Sequence, residues 1–560
     1  MIMNDTTMNE DDKIAARLEK LDPITGAFVK RHHKDCAFIT TTKRQIVFYI
    51  FMVIGLLLFL AYRWDFFIFI LTLVMAFWYF GSLFFRGAAS LISLLGYGER
   101  KVSTEELNEL NDADLPIYTI FLPLYKEANI AKKIIHNMAK LDYPKDKLDI
   151  KLLLESDDTQ TLTAVKKCSL PSYYDLIVVP DFQPKTKPRA CNFGLARAKG
   201  EYCVIFDAED CPEPDQLRKA VAVFRKESKQ LACIQAKLNY YNAKQNLLTK
   251  LFTIEYSTAF DLFLPGVEIF NVPLPLGGTS NHFRTAILKE IGGWDPFNVT
   301  EDCDLGIRLY KHGYRTALLD STTWEEANSN LWNWIRQRSR WVKGFLQTHL
   351  AHMRHPLRTV RGLGLWGTFG FYMSVGASSF MMLTNVFYWI IVGIYLFLFI
   401  HGLTNGLTAS EILIGPHNYS NYAGLSLASV KLQAWPLVYL GEAESQVWVT
   451  LSILFCVVSV LLFLANFMFI AIYFIACWRR KYYFLLPYCL LMPFYWLLIS
   501  FGAWKGFIQL FTNPFYWEKT IHGLDPDVDA DINLINSMPT ATEGQLDNSR
   551  KIGQEELTVN

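Results

Sequence analysis

The sequence has almost no net charge: 54 Lys and Arg stand against 53 Asp and Glu, leaving +1. Without a basic excess there is little to neutralise a phosphate backbone, so no nucleic-acid partner is expected. Paired cysteines are also missing. Of the ten, none forms a CxxC pair and no histidine cluster accompanies them at zinc spacing, which argues against structural zinc and against a disulfide framework. Buried thiols in a reducing compartment are expected instead. The first 40 residues hold no apolar run, so no secretory signal is expected. Charge itself is missing from two long regions. Residues 45–98 hold only Arg63, Asp65 and Arg86, and residues 361–516 are again apolar.

What fills those regions is hydrocarbon and aromatic side chains. The chain is 51% hydrophobic and 15% aromatic over 560 residues, enough for two or three domains. "RQIVFYIFMVIGLLLFLAYRW" and "DFFIFILTLVMAFWYFGSLFF" each supply roughly 20 apolar residues, the length that crosses a bilayer. They are expected to form a transmembrane hairpin over 44–86. The basic stretch "KRHHKDCAFITTTKR" before it places segment 1–43 in the cytoplasm by the positive-inside rule. The domain that follows the hairpin is then cytoplasmic too, which implies a multi-pass protein of the plasma (inner) membrane. Residues 362–511 are expected to supply further transmembrane or interfacial helices, with residues 403–447, one Lys and no Arg, as an external loop. The apolar stretch 482–511 is expected to turn back to the cytoplasmic side, helped by Pro487 and Pro493. The tail 524–560 is polar and acidic and is expected to be disordered.

Between the apolar regions, residues 99–330 alternate short strand-like and helix-like runs, "IYTIFLPLY", "ANIAKKIIHNMAKL", "LDIKLLLES", "DLIVVP", "ACNFGLARAKG" and "EYCVIFDAED". This βαβ rhythm predicts an α/β domain with a mostly parallel sheet. Ligands bind such sheets at the carboxyl ends of the strands. Acids stand at those ends: Asp157 and Asp158 after "KLLLES", and Asp207, Glu209 and Asp210 after "EYCVIF". A strand running into such acids can hold Mg²⁺ or Mn²⁺ against a diphosphate, although a solvated strand-to-turn junction has the same composition. "KTKPRACNFGLARAKG" offers Lys187, Arg189 and Asn192 as donors to a nucleotide, and "PLGGTSNHFR" offers a glycine pair for close backbone approach. "NVTEDCDLG" then gathers Glu301, Asp302 and Asp304. In "IRQRSRWVKGFLQT", within segment 331–361, Gln337, Arg340 and Trp341 fall on one helical face, suited to hydroxyls, a phosphate and a sugar ring respectively.

The order Asp157/Asp158, "DAED", "TED", "QRSRW" resembles that of the processive family 2 glycosyltransferases, the cellulose, hyaluronan, curdlan and mixed-linkage glucan synthases, over roughly residues 40–523. The resemblance implies a GT-A-like catalytic domain inserted in a multi-span membrane domain. It implies a UDP-sugar donor, UDP-glucose above others, a growing β-glucan acceptor and a divalent cation. Asp302 would be the general base. Asp157, Asp158, Lys187, Asp207, Gln337 and Arg340 would hold the nucleotide sugar. Asp207 with Glu209 or Asp210 would hold the metal, and Trp341 and Glu301 would lie on the acceptor side. "NPFYWEKTIHG", Asn513 to Gly523 in segment 512–523, resembles the gating loop of these synthases, with Trp517, Lys519, Thr520 and His522 over the nucleotide. Other readings stay open at this point: an N-acetylglucosamine polymer, transfer of a single sugar to a lipid carrier, or a non-catalytic membrane scaffold. The sequence names no accessory subunit.

Overall fold

A computed structural model describes residues 16–406 and 446–520. The expected external loop (apart from its edges), His522 and the tail 524–560 lie outside the described residues. Nine strands form one sheet: β1 (Glu99–Arg100), β2 (Tyr118–Leu124), β3 (Leu148–Glu155), β4 (Tyr174–Val179), β5 (Tyr202–Ile205), β6 (Cys211–Pro212), β7 (Leu231–Tyr240), β8 (Asn281–Arg284) and β9 (Arg315–Glu325). Their order is β1-β9-β7-β8-β5-β2-β3-β4, with β6 pairing β9.

The central strands are buried on both faces, which favours continuous apolar runs over alternation. All eight residues of β3 are buried, including Lys151, whose ammonium lies 2.7 Å from Asp149 and 2.9 Å from Asp175. Successive residues feed opposite layers. Ile120 and Leu122 pack with Leu152, Leu154 and Phe224 on one side. Phe121, Leu153, Ile205, Phe283 and Trp294 pack on the other.

The expectation of a mostly parallel sheet needs one correction. The pairs β2/β3, β2/β5, β3/β4, β7/β9 and β1/β9 are parallel, but β8 is antiparallel to both β5 and β7, so the sheet is mixed. The reversal has a use. Because β8 opposes both neighbours, β5 and β7 run the same way, and the carboxyl ends of β2, β3, β5, β7 and β9 share one edge with the start of β8. The loop before β8, Gly277 to Ser280, therefore meets the loop after β5, which carries Asp207. Ser280 N–H donates to the Ile205 carbonyl at 2.8 Å.

Helices Lys43–Tyr62 and Trp64–Leu94 precede the sheet domain, and Leu331–His352 (the QxxRW helix), Pro356–Phe371, Ala377–Thr404, Gln446–Arg479 and Met492–Thr512 follow it. Among the described residues, Lys43–Tyr62 and Tyr483–Thr512 are long and apolar enough to cross a membrane. No residue of Lys43–Tyr62 is buried. The stretch 482–511 is not a hairpin of helices. It is a 3₁₀ segment, Tyr483–Leu491, followed by the helix Met492–Thr512 with Pro493 in its first turn, where a missing N–H costs nothing. Both of its ends meet the sheet domain or the QxxRW helix: Arg480, just before it, pairs with Asp261, and Lys343 donates to the carbonyl of Asn513, just after it, at 3.3 Å.

Candidate active site

The shared sheet edge gathers Asp207, Glu209, Glu301 and Asp302 around Lys187. Its ammonium pairs with Asp207 and donates to the Gly278 carbonyl at 2.7 Å, so one cation ties the loop after β5 to the loop before β8. Burial works against that charge, but Asp207 and then Glu301 outweigh it and raise the Lys187 pKa.

Asp302 sits in the first turn of the helix Glu301–Lys311, where the helix dipole favours a carboxylate. Its Oδ1 accepts the Cys303 N–H at 2.8 Å. A methyl group on Gly278 would lie 3.5 Å from Oδ2, an ordinary contact, so the loop before β8 packs close to this carboxylate. Burial pushes the Asp302 carboxyl up to about 6, with Lys187 and Arg340 pulling the other way. Glu301 is buried and pushed up to about 8 by burial and by Asp302. Asp304 is turned away from the crevice: Arg308 Nε donates to it at 2.7 Å and His352 Nε2 lies 3.0 Å from it. Lys311 donates to His352 Nδ1 at 2.7 Å, which leaves the Nε2–H to face Asp304.

The "DAED" acids divide by orientation. Asp207 and Glu209 are half-buried, and Asp210 is fully buried. Asp210 Oδ2 accepts the Asp207 N–H at 2.7 Å and the Thr279 hydroxyl, while its Oδ1 is buried without a partner. Burial and then Asp207 push Glu209 up to about 8, and burial, Asp207 and Glu209 push Asp210 well above the carboxylate range. Glu325, at the end of β9, joins them: burial and then Asp210, Glu209 and Asp207 raise it as well. Carboxylates that hold one another's pKa up are in the electrostatic situation a divalent cation relieves, and the orphaned Asp210 oxygen fits that donor set. Among the described residues no three His, Cys, Asp or Glu side chains gather into a closed metal site. A cation here would take its remaining oxygens from a bound diphosphate, as Mg²⁺ commonly does.

At the next strand end, Asp157 pairs with Lys185 at 2.6 Å, and that hydrogen bond holds its carboxyl below the usual range. Asp158 is buried; its Oδ1 caps the following helix through the Thr161 N–H at 3.2 Å, and its Oδ2 accepts the Lys126 N–H. Two expected nucleotide donors are committed elsewhere. Arg189 is buried against Asp22 and Glu155, and Asn192 exchanges hydrogen bonds with the Trp294 backbone at 2.7 and 2.9 Å.

The QxxRW helix covers the site from the other side. The Arg340 guanidinium is close enough to Glu301, Asp207 and Asp302 to feel all three, although burial dominates and lowers its pKa. Its Nε is buried without a partner. Gln337 accepts from Asn328 Nδ2 at 2.9 Å. Trp341 is half-buried on an aromatic floor, its ring centre 6.0 Å from Phe252 and 6.2 Å from Tyr256. Arg338, a motif residue given no role from sequence, is the hub of that floor. It is buried, donates to Glu255 at 2.7 Å and to the Tyr495 hydroxyl at 3.0 Å, and lies 4.6 Å from the Trp341 ring. Segment 513–520 lies against the QxxRW helix and the end of β2. Trp517 lies under Arg340, Lys519 donates to Glu127 at 3.0 Å and to the Tyr125 carbonyl, and the Thr520 hydroxyl is buried and unpartnered.

Residues 202–403 match the family described as glycosyl transferase family group 2, a span that holds "DAED", "GGTSN", "TED" and "QRSRW". That span is about a third of the chain, and over it the chain is similar to the family 2 glycosyltransferases; the sheet it contributes to is mixed α/β. It is 28% identical over 295 residues to the probable glycosyltransferase YdaM of Bacillus subtilis (strain 168), covering 50% of this chain and 68% of that one. It is 27% identical over 244 residues to glucomannan 4-beta-mannosyltransferase 2 of Arabidopsis thaliana, covering 42% of this chain and 46% of that one. So the match spans about half the length of the plant protein. Among solved structures, the mannosyltransferase PcManGT from Pyrobaculum calidifontis, in complex with GDP-Man and Mn²⁺, overlays with a TM-score of 0.41 at 16% identity, covering 70% of this chain and 97% of that one.

Proposed function

We propose that the protein is a membrane-embedded, inverting glycosyltransferase that polymerises a nucleotide-activated hexose, UDP-glucose first among them, into a β-linked glucan and passes the chain across the bilayer. The observation that carries this reading is the convergence of Asp302, Lys187, Asp207 and Arg340 on one crevice at the carboxyl edge of the sheet.

In this reading Asp302 Oδ2 removes the proton from the acceptor hydroxyl as that oxygen attacks the anomeric carbon of the donor. Attack opposite the leaving nucleotide turns an α-linked donor into a β-linkage. Charge builds on the leaving diphosphate, and Lys187 and Arg340 are the cations placed to meet it. Asp207 with Glu209, or the free oxygen of Asp210, would hold Mg²⁺ or Mn²⁺, which would supply further positive charge for the diphosphate. Asp157 and Lys185 border the nucleotide end. Trp341, on its aromatic floor, faces the acceptor with Glu301 behind the base. Trp517, Lys519 and Thr520 cover the donor.

The lipid bilayer is assigned to the exposed apolar helix Lys43–Tyr62 and the helices after the sheet domain. Lys343 and Arg480 both meet the backbone or acids around the site domain, which supports a catalytic edge and a segment 513–520 on the same, cytoplasmic, side.

A second donor is favoured by one observation. The plant relatives are mannosyltransferases by name, so an activated mannose such as GDP-mannose is the alternative to UDP-glucose. The test is product analysis. Protein in nanodiscs with Mg²⁺ or Mn²⁺ receives UDP-glucose, UDP-N-acetylglucosamine or GDP-mannose separately, and products are sized and digested with linkage-specific glucanases and mannanases. High-molecular-weight β-glucan from UDP-glucose is the expected result. A β-mannan from GDP-mannose moves the donor, and single-sugar transfer to a lipid contradicts polymerisation.

A further inference from the structure

Segment 513–520 is held at its root by side chains that belong to neither the donor nor the base. Ser339, Lys343 and Gln347 are spaced i, i+4, i+8 on the QxxRW helix, one face of a helix, and each donates to the segment. Gln347 Nε2 donates to the Pro514 carbonyl at 2.8 Å. Lys343 Nζ, fully buried, donates to the Tyr516 carbonyl at 2.7 Å and the Asn513 carbonyl at 3.3 Å. Ser339 Oγ donates to Glu518 Oε2 at 3.0 Å, and Lys505 and Gln509 hold the same carboxylate at 2.5 and 3.0 Å.

The same helix touches the base loop. Gln347 Oε1 accepts the Val299 N–H at 3.2 Å, and Thr348 Oγ1 accepts from Asn298 Nδ2 at 2.7 Å. A side chain at Gly344 would collide with Thr300. One amide, that of Gln347, therefore bridges the strand of chain leading to Asp302 and the segment carrying Trp517 and Lys519. Beyond the clasp, Lys519 rests on replaceable partners, Glu127 and the Tyr125 carbonyl.

We propose that Lys343 and Gln347 are positioning residues, a clasp that fixes the root of segment 513–520 to the base loop so that its tip, Trp517 to Thr520, is set over the donor. This rests on the proposed reaction for its kinetic consequence and on geometry alone for its structural one. A single buried amide that both accepts from one loop and donates to another ties the position of each to the other, because moving either leaves a buried polar atom unpaired.

The experiment is hydrogen–deuterium exchange of the full-length protein in nanodiscs, beside donor kinetics. Gln347→Glu keeps an acceptor for Val299 but removes the donor to Pro514. Lys343→Met removes the other arm, and Lys343→Arg restores a cation. In the two disrupting variants, exchange over 515–520 is expected to rise about tenfold, with the peptide covering the helix Glu301–Lys311 unchanged. The donor KM is expected to rise about tenfold with kcat within about threefold, and Lys343→Arg is expected to recover part of both. Should Lys343→Met fail to fold, Gln347→Glu carries the test. Unchanged exchange over 515–520 overturns the clasp. Faster exchange with an unmoved donor KM overturns its part in donor capture. Wild-type protein that turns over no donor defeats the proposed reaction, while the exchange result still decides the clasp.

Discussion

The guanidinium carbon of Arg340 lies 4.4 Å from the centre of the Trp517 ring. One residue belongs to the QxxRW helix and the other to a segment more than 170 positions later in the chain, so the contact joins two distant parts of the sequence. An arginine in that position is flat, always charged and able to stack on the ring while its edge faces a phosphate.

From this contact, Trp517→Ala is expected to raise the donor KM by about 5- to 30-fold, the range that a partly desolvated cation–π pair of roughly 1–2 kcal/mol covers. Arg340→Lys keeps charge but not the planar fork, and is expected to lose most of the activity. Initial-rate kinetics across donor concentrations check both. A Trp517→Ala enzyme with unchanged KM would show that the ring does not help to hold the donor.

The pH profile follows from burial of the proposed base, Asp302. An ordinary aspartate is charged above about pH 4, but burial pushes Asp302 up to about 6. A raised pKa means that the carboxylate stays protonated, and useless as a base, over a window where a surface aspartate would be charged. Activity is therefore expected to be full above about pH 7 and to fall about tenfold per unit below about pH 6. Because Glu301 neighbours it and is also raised, the apparent value belongs to the pair. The acid limb of kcat/KM against pH checks this, and a limb near 4 contradicts it.

Arg338 should matter to stability more than to chemistry. Its guanidinium is buried against Glu255 and Tyr495, and removing one partner of a buried pair strands the other charge. Arg338→Met is expected to cost about 3 kcal/mol, with part of it regained in Arg338→Met/Glu255→Gln. Thermal unfolding in detergent with an intrinsic-tryptophan readout measures the cost. Glu255→Gln alone completes the cycle, and a double-variant loss equal to the sum of the two single losses would mean that the pair is uncoupled.

Chelation gives a fourth outcome. The raised carboxyls of Glu209, Asp210 and Glu325 favour a cation once a diphosphate is present. EDTA is expected to abolish transfer and Mg²⁺ or Mn²⁺ to restore it, while Asp207→Asn is expected to raise the metal concentration needed by at least about tenfold. Full activity in EDTA would remove the metal from the reaction.

Much of the site was legible because strand-end acids and helical spacing are local signals. Asp207 and Asp302 could be picked out as residues, and Gln337, Arg340 and Trp341 as one helical face. What the local pattern does not carry is direction. Nothing in "NHFR" says that β8 runs against its neighbours, and that reversal is what brings Gly278 to Asp302. Arg189 and Asn192 read like donors to a nucleotide because a basic loop before a helix looks the same whether it faces solvent or Asp22. Asp158 reads like a nucleotide contact, yet both its oxygens accept backbone N–H bonds, whereas Asp210 spends one oxygen on its own turn and keeps the other. Lys343 and Gln347 left no signal, since their partners are carbonyls more than 160 residues away.

The measurement that bears most directly on the central claim sets wild-type protein beside Asp302→Asn in nanodiscs, with nucleotide release and nucleotide binding followed on the same preparations. The expected result is donor-dependent release in the wild type, a loss of about 10²–10⁴-fold in the variant, and nucleotide affinity within about threefold between them. Equal release from both, or no release from the wild type with any nucleotide sugar, would contradict Asp302 as the base of a glycosyl transfer.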